Sequence, residues 1–503
     1  MTLVSAGFAQ SVSPSAPTSG VPRSGEALSR LYCSTCHVFP EPELLDKKTW
    51  RDQTLRRMKI RMGLSPAEIE SHPESKLLEA TGIFPTSPLI STQDWSAIFD
   101  YYVNAAPEAP LPQDPRPPIQ VGLKYFRPEP PKYRRALPST TLVKISEHAR
   151  RIYMGDAETQ SIDVLDGSGV FHETVKLNNI PVSLTESTRG IYVTSIGHFQ
   201  PSEDPKAELA FLRRGENGFE PPRAILSQLP RATYTEFADL NGDGKIDFLI
   251  CIYGNNVGRF SWFENLGQNQ FREHVLIPKS GAIRAEVHDF NGDGFPDLAV
   301  LLAQESESFF ILMNDGKGNF SQRPVFQKHP LMGHTYFEMA DFNNDGKLDF
   351  IVTNGDNGEY PSPMKKYHGI RIYLNKGGEH FEEAYFFPMN GAFKAIARDF
   401  DHDGDLDVAA ISFFPDYQKS PEESFIYLEN QGGLRFTPST FEQCVMGRWL
   451  TMDAGDLDGD GDLDIVLGSY IRGPSPVPST FSRNWEADGP SVLILRNHIK
   501  EPL

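Results

Sequence analysis

One nine-residue acidic pattern recurs five times between residues 239 and 464, and no other feature of the chain restricts its possible folds as strongly. The odd positions are Asp239, Asn241, Asp243, Lys245 and Asp247 in the first copy and Asp289, Asn291, Asp293, Phe295 and Asp297 in the second. The third has Asp341, Asn343, Asp345, Lys347 and Asp349, the fourth Asp399, Asp401, Asp403, Asp405 and Asp407, and the fifth Asp456, Asp458, Asp460, Asp462 and Asp464. Successive copies start 50, 52, 58 and 57 residues apart. A period of that length marks a repeat architecture, in which each unit is one supersecondary element and neighbours bury each other's faces.

Within each copy, oxygen side chains at positions 1, 3, 5 and 9, a backbone carbonyl at 7 and a glycine at 6 suit a hard cation that takes about six or seven oxygen ligands. The expected ion is Ca²⁺, about five in all. An EF-hand would need a bidentate Glu at position 12. Here that position holds Ile250, Val300, Val352, Ala410 and Leu467, which suits a strand entering a sheet.

A second marker, Asn-x-Gly-x3-Phe, follows the first four loops at Asn265 to Phe271, Asn314 to Phe320, Asn375 to Phe381 and Asn430 to Phe436. Each lies after an apolar run, as a hairpin turn leading to an outer strand does. The Gly-x3-Phe part also occurs upstream, at Gly167 to Phe171 and Gly215 to Phe219, without an acidic loop. Two cryptic units therefore precede five obvious ones, and the last unit runs out at Ser491 to Asn497 without its outer strand. A seven-bladed β-propeller is expected, closed by a strand from the N-terminal side, either Val121 to Phe126 or Thr141 to Ile145. Residues 121 to 503 resemble the FG-GAP/VCBS repeats of integrin-α-like propellers, and that resemblance implies calcium in the acidic loops.

Charge agrees with bound cations. The formal net charge is −19, and the five loops alone hold 19 Asp. Each ion replaces repulsion among carboxylates with coordination, so a structural role is expected. No basic stripe is present, which argues against a nucleic-acid partner.

Upstream, Cys33-Ser34-Thr35-Cys36-His37 is a C-x-x-C-H run, placing two thiols for thioether attachment of a haem and an imidazole for its iron. A zinc site would need a second ligand pair, and a dithiol redox pair a βαβ context; the sequence has neither. Ala27, Leu28, Leu31 and Tyr32 give a short helix into the motif, and Ser91-x-x-Asp94 starts a second helix carrying Trp95, Ile98, Phe99 and Tyr102. Residues 24 to 106 resemble a class I cytochrome c domain, and the whole chain a bacterial cytochrome–propeller fusion. That resemblance implies one haem c on Cys33, Cys36 and His37. Met58, in a Trp50…Leu55-x-x-Met58 context, is the expected second axial ligand and Met62 the alternative; Arg56 stands where the fusions have Pro.

The fold class expected is thus a small all-α cytochrome c-like domain followed by an all-β seven-bladed propeller. Residues 1–9 read as a signal-peptide remnant with Gly7 and Ala9 before the cut, 10–23 as a flexible linker, 24–106 as the haem domain, 107–131 as a linker with nine prolines, and 132–503 as the propeller. Export to the periplasm or cell exterior is expected, with no transmembrane segment. Cys251 and Cys444 read as buried thiols rather than a bridge.

Two loops on the rim opposite the calcium loops, Asn354 to Gly369 and Phe413 to Glu423, offer polar and aromatic groups to a ligand. Arg231, Arg284, His334, Lys394 and Arg448 suggest a cationic ring around the channel mouth. The leading functional reading is an exported monohaem electron-transfer protein whose propeller binds a redox partner protein or small polar substrate. The alternatives are a haem-dependent oxidoreductase with its substrate site on the propeller rim, and a surface adhesion module. No catalytic residue can be named.

Overall fold

The computed structural model describes residues 23–499 except 217, 359–362, 379, 474 and 476. The signal-like segment 1–9, nearly all of the linker 10–23, and Glu359 and Tyr360 of the first rim loop lie outside the described residues.

Seven sheets follow one another in chain order, each a meander of antiparallel strands. Blade 1 is Thr140–Ser146, Arg151–Asp156, Ser161–Asp166 and Phe171–Lys176; blade 2 is built on Pro181–Ser187, Gly190–Ser195, Ala207–Gly215 and Arg223–Leu229. Blades 3, 4, 5 and 6 begin with Ala232–Ala238, Ala282–His288, His334–Ala340 and Ala392–Arg398, and blade 7 with Trp449–Gly455. The second strands of blades 3 to 7 are buried along their whole length, as Phe248, Leu249, Ile250, Cys251 and Ile252 illustrate. Both faces of such a strand meet neighbouring blades, so the sequence runs apolar without alternation. Outer strands such as Phe320–Gln327 are largely exposed and carry polar residues. Cys251 and Cys444 are buried free thiols.

Blade 7 is completed by Phe126–Glu129, which pairs antiparallel with Val492–Asn497 from Phe126↔Asn497 to Glu129↔Ile494. Of the two stretches suggested by sequence, the first contributes only its end, Phe126, and the second lies within the innermost strand of blade 1. Val143, Ile145, Ile152 and Met154 of blade 1 pack on Leu457, Val466, Val492 and Ile494 of blade 7, sealing the ring. At roughly 25 cal/mol per Å² of buried apolar surface, such a cluster stabilises closure by several kcal/mol.

The proline-rich segment is a strap rather than a free spacer. Gln113 donates to the His368 carbonyl at 3.0 Å, Arg116 to the Pro388 carbonyl at 2.7 Å and to the buried Glu423, and Gln120–Val121 pairs with Ser439 and Thr440 of blade 6. Proline lacks an N–H, so the strap is fastened by side chains and by its few non-proline amides.

Residues 24–106 form a small helical unit. Gly25–Tyr32 crosses Thr92–Ala105 so closely that a Cβ on Gly25 would lie 2.2 Å from the Ala97 carbonyl oxygen. Ser91 caps the second helix by accepting the Asp94 N–H at 3.0 Å. Leu28, Trp50, Leu55, Trp95, Ile98 and Tyr102 form its core, with Trp50 and Tyr102 rings 4.4 Å apart. Among the described residues, no helix is long and apolar enough to cross a membrane.

Candidate metal and cofactor sites

The acidic loops join the first and second strands of blades 3 to 7, on the rim where the innermost strands end. In every loop the position-1 carboxylate accepts the N–H of the position-6 glycine, from Asp239 with Gly244 at 2.8 Å to Asp456 with Gly461 at 3.1 Å. Position 4 also has positive φ in all five, at Gly242, Gly292, Asn344, His402 and Gly459, a backbone requirement the acidic pattern alone did not reveal.

Positions 1, 3 and 5 converge. One oxygen each from Asp399, Asp401 and Asp403 lies within 4.8 Å of the others, and likewise for Asp456, Asp458 and Asp460. Asp399 Oδ1 and both Asp462 oxygens are buried without hydrogen-bond partners. Burial first, then the Asp460 carboxylate, push Asp462 up to about 7. Unpartnered buried oxygens among like charges are what a divalent cation stabilises, so the residues fit Ca²⁺.

Position 7 varies more. Lys245 and Lys347 turn their ammonium groups onto Asp243 and Asp345, at 2.7 and 2.9 Å, and Phe295 packs its ring over Gly316. Position 9 also braces the blade, because Asp247, Asp297, Asp349, Asp407 and Asp464 are fully buried and accept the N–H of the hairpin asparagine in the same sheet.

In the helical unit, Cys33 caps Gly25–Tyr32, its N–H donating to the Ser29 carbonyl at 2.8 Å, and Thr35 folds back onto the Tyr32 carbonyl at 2.8 Å. That turn presents Cys33, Cys36 and His37 together at the helix exit. Both cysteines are free thiols; Cys36 is exposed, and burial pushes the half-buried Cys33 up to about 11. His37 Nδ1 sits 3.0 Å from the Val38 carbonyl, leaving Nε2 for another partner. Cys33, Met58 and Met62 pack against one apolar cluster, to which Cys36 and His37 do not belong. The donor set and its apolar surroundings fit a covalently held haem.

The cluster is not confined to the helical unit. Leu331, Met332 and Tyr367, from propeller loops on the rim away from the acidic loops, are buried in it. Arg61 fastens the two parts through Glu305 at 2.8 Å and Asn256 at 2.6 Å, and Glu74 accepts the Glu203 N–H at 2.9 Å.

The remaining rim features differ from their sequence reading. Arg284 and Lys394 line a central channel of about 600 Å³, with Arg284 between the Tyr234 and Tyr336 rings, 4.7 Å from each. Arg231, His334 and Arg448 do not form a ring with them. Arg231 holds the Gly254 carbonyl at 2.7 Å, His334 meets Glu307 at 2.6 Å, and Arg448 reaches Ser475 at 2.7 Å. The loop from Phe413 is spent on packing: Phe413 and Phe414 cluster with Leu450 and Tyr470, and Glu423 is buried against Arg116 and Asn390.

Residues 239–300, 289–352 and 399–467 match the FG-GAP-like repeat. Comparison with curated protein sequences gives no match. Among solved structures, the chain is similar to the N-terminal domain of Nup159, with 11% identity over 76% of this chain and 98% of that one and a TM-score of 0.40. It is also similar to BBS1N in complex with ARL6DN, with 8% identity over 76% and 99% and a TM-score of 0.44. The three matched segments together cover blades 3 to 7 in part, and those segments are FG-GAP-like repeats within a seven-bladed propeller.

Proposed function

We propose that the chain is an exported monohaem c-type electron-transfer protein, with a calcium-stabilised propeller that binds its redox partner or a small polar substrate. Cys33 and Cys36 would hold the haem and His37 would ligate its iron from one side; the bound haem supplies one-electron oxidation and reduction. The apolar cluster of Trp50, Leu55 and Tyr102 from the helical unit and Leu331, Met332 and Tyr367 from the propeller would keep water from it. The observation that carries this reading is that shared cluster, because it sets the C-x-x-C-H motif against the rim that a propeller uses for binding. The acidic loops of blades 3 to 7 would hold Ca²⁺ on the far rim, stiffening the ring without taking part in the chemistry.

The oxidoreductase is the second reading, supported by the contact of Lys366 in the blade 5 loop with Glu43 of the helical unit at 3.3 Å, which brings a polar group of the rim to that unit. Protein exported from a host that matures c-type cytochromes tests the proposal. Covalent haem, read by intact mass and by the pyridine haemochrome spectrum, is expected in the wild type and absent from C33S/C36S. Wild-type protein without it removes the electron-transfer reading. Reduction of the haem by a small molecule alone, with no protein partner, would select the oxidoreductase.

A further inference from the structure

Met58, Met62 and Met332 are not the only side chains at the junction with a donor atom suited to iron. The turn that carries Leu331 and Met332 into the helical unit's core starts at His329, whose carbonyl accepts the Met332 N–H at 3.0 Å. The His329 ring stands edge-on to Tyr367, 5.1 Å between centroids, and Tyr367 belongs to the cluster that holds Cys33.

His329 Nδ1 is buried and has no hydrogen-bond partner. A buried nitrogen left unpaired is costly, so it calls for a partner beyond the side chains around it. Two other buried histidines nearby, His334 and His368, also have an unpartnered Nε2. His334 is already committed through Nδ1 to Glu307 at 2.6 Å. His368 also stands against Tyr367, 5.6 Å between ring centroids, but not on the turn that carries Leu331 and Met332. Of the three, His329 is the one on the turn that carries Leu331 and Met332 into the cluster holding Cys33. Burial above all, then Lys365, Lys328, Arg371 and His37, hold His329 down to about 4, so at neutral pH its ring is uncharged and keeps a free lone pair.

Met58 sits half-buried on Leu55–Arg61 and Met62 caps that helix. Both have apolar neighbours that account for their positions without any ligand role. Packing on Tyr367 accounts for the His329 ring but not for its orphaned nitrogen.

We infer, on the haem reading above, that the second axial ligand of the iron is His329, supplied by the propeller, so that the haem is shared between the two parts of the chain. Met58 and Met62 then act as packing around it.

The test uses full-length, haem-loaded protein. Covalent haem is scored first by mass and haemochrome spectrum. The ferric wild type is expected to show the near-infrared magnetic circular dichroism of bis-imidazole low-spin iron, without the thioether–iron absorption band. H329A should become high-spin and recover a low-spin spectrum on addition of free imidazole, whereas M58A, M62A and M332A should keep the wild-type spectrum. A thioether–iron band in the wild type, or an unchanged low-spin spectrum in H329A, overturns the assignment while leaving the haem in place. Where H329A does not fold, His329→Met decides the matter, because it should exchange the bis-imidazole signature for a thioether–iron band, and an unchanged spectrum overturns the assignment. Wild-type protein lacking covalent haem overturns the haem reading and this inference together.

Discussion

Asp247 accepts the backbone N–H of Asn265 at 2.7 Å, tying the end of an acidic loop to the hairpin turn of its own blade. The contact recurs at Asp297–Asn314 and Asp349–Asn375 at 2.7 Å, Asp407–Asn430 at 2.8 Å and Asp464–Asn497 at 2.9 Å. Each hairpin asparagine also caps its turn, as Asn265 Oδ1 does by accepting the Gly267 N–H at 3.0 Å. One buried carboxylate thus connects a cation loop to an outer hairpin.

Replacing that carboxylate should destabilise the ring with or without metal. Asp297 holds the N–H groups of Asn314 and Phe290, at 2.7 and 3.1 Å, and is fully buried. Asp297→Ala leaves both unpaired at about 1–3 kcal/mol each, lowering the thermal midpoint by on the order of 5–15 °C. Asp293→Asn, on the exposed part of the same loop, should lower it only when Ca²⁺ is present. Thermal unfolding of both variants with Ca²⁺ and with chelator separates the two roles.

The five loops should not bind calcium equally. Those of blades 6 and 7 carry five Asp each, whereas those of blades 3 and 5 carry three and an internal lysine resting on position 5. Calorimetric titration should resolve a tight pair of sites from weaker ones. Lys347→Ala should raise affinity at its own loop several-fold, a modest gain because the ammonium is half-exposed and screened. Five equal sites, or no change in K347A, would refute this ranking.

Closure depends on Phe126. Its ring is buried and meets Phe400 at 5.5 Å and Tyr427 at 5.4 Å in the cluster between blades 6 and 7. Phe126→Ala should cost roughly 3–5 kcal/mol and speed proteolysis at the strap, because the last blade loses its outer strand's anchor. Wild-type resistance to protease in F126A would show that the strand is held by its backbone pairing alone.

Lys394 gives a pH-dependent prediction. Burial in the channel is the main cause that lowers its pKa from 10.5 to about 8, and its ammonium donates to the Met452 carbonyl at 2.6 Å. The unfolded chain then binds the proton more tightly, so this group's contribution to stability rises with pH from about 8 to 10.5 and is constant below about 8. The stability of Lys394→Met relative to wild type should therefore be greatest below pH 8 and decline above it. A difference in unfolding free energy that stays flat from about pH 7 to about 10.5 would contradict the shift.

Five blades are legible in the sequence because their loops must repeat side-chain chemistry, not just hydrophobicity. Blades 1 and 2 show only through Gly167 to Phe171 and Gly215 to Phe219, since turns such as 147–150 have no ion pattern to preserve. The closing strand Phe126–Glu129 is four residues long and contains Pro128, tolerable because it lies on a sheet edge but a poor strand signal. Helix Ser479–Asp488, inserted in blade 7 and anchored by the buried Trp485, has too little apolar periodicity to be recognised. The supposed cationic ring fails on register. Every innermost strand has a bulge between its first and third residues, so Arg284 and Lys394 at the third position enter the channel while His334 at the first does not. Arg231 and Arg448 precede their strands altogether. The junction of the two parts shows the same limit, because the C-x-x-C-H motif points to donors near it in sequence, such as Met58, and not to Leu331, Met332 and Tyr367, which the propeller brings into the same cluster.

The strap sets an order of events during synthesis. Phe126–Glu129 emerges from the ribosome long before its partner Val492–Asn497, and every strand made in between must pass before the two can meet. Loop-closure entropy grows slowly with length, but a contact this distant forms late. The helical unit, made first and rich in local contacts, has the interval to itself. The apolar core around Trp50 and Tyr102 is therefore complete only when the loops bearing Leu331, Met332 and Tyr367 arrive to join it. The propeller thus supplies the last pieces of a core that the helical unit begins, while Ser34, Thr35 and Cys36 stay exposed in the finished fold.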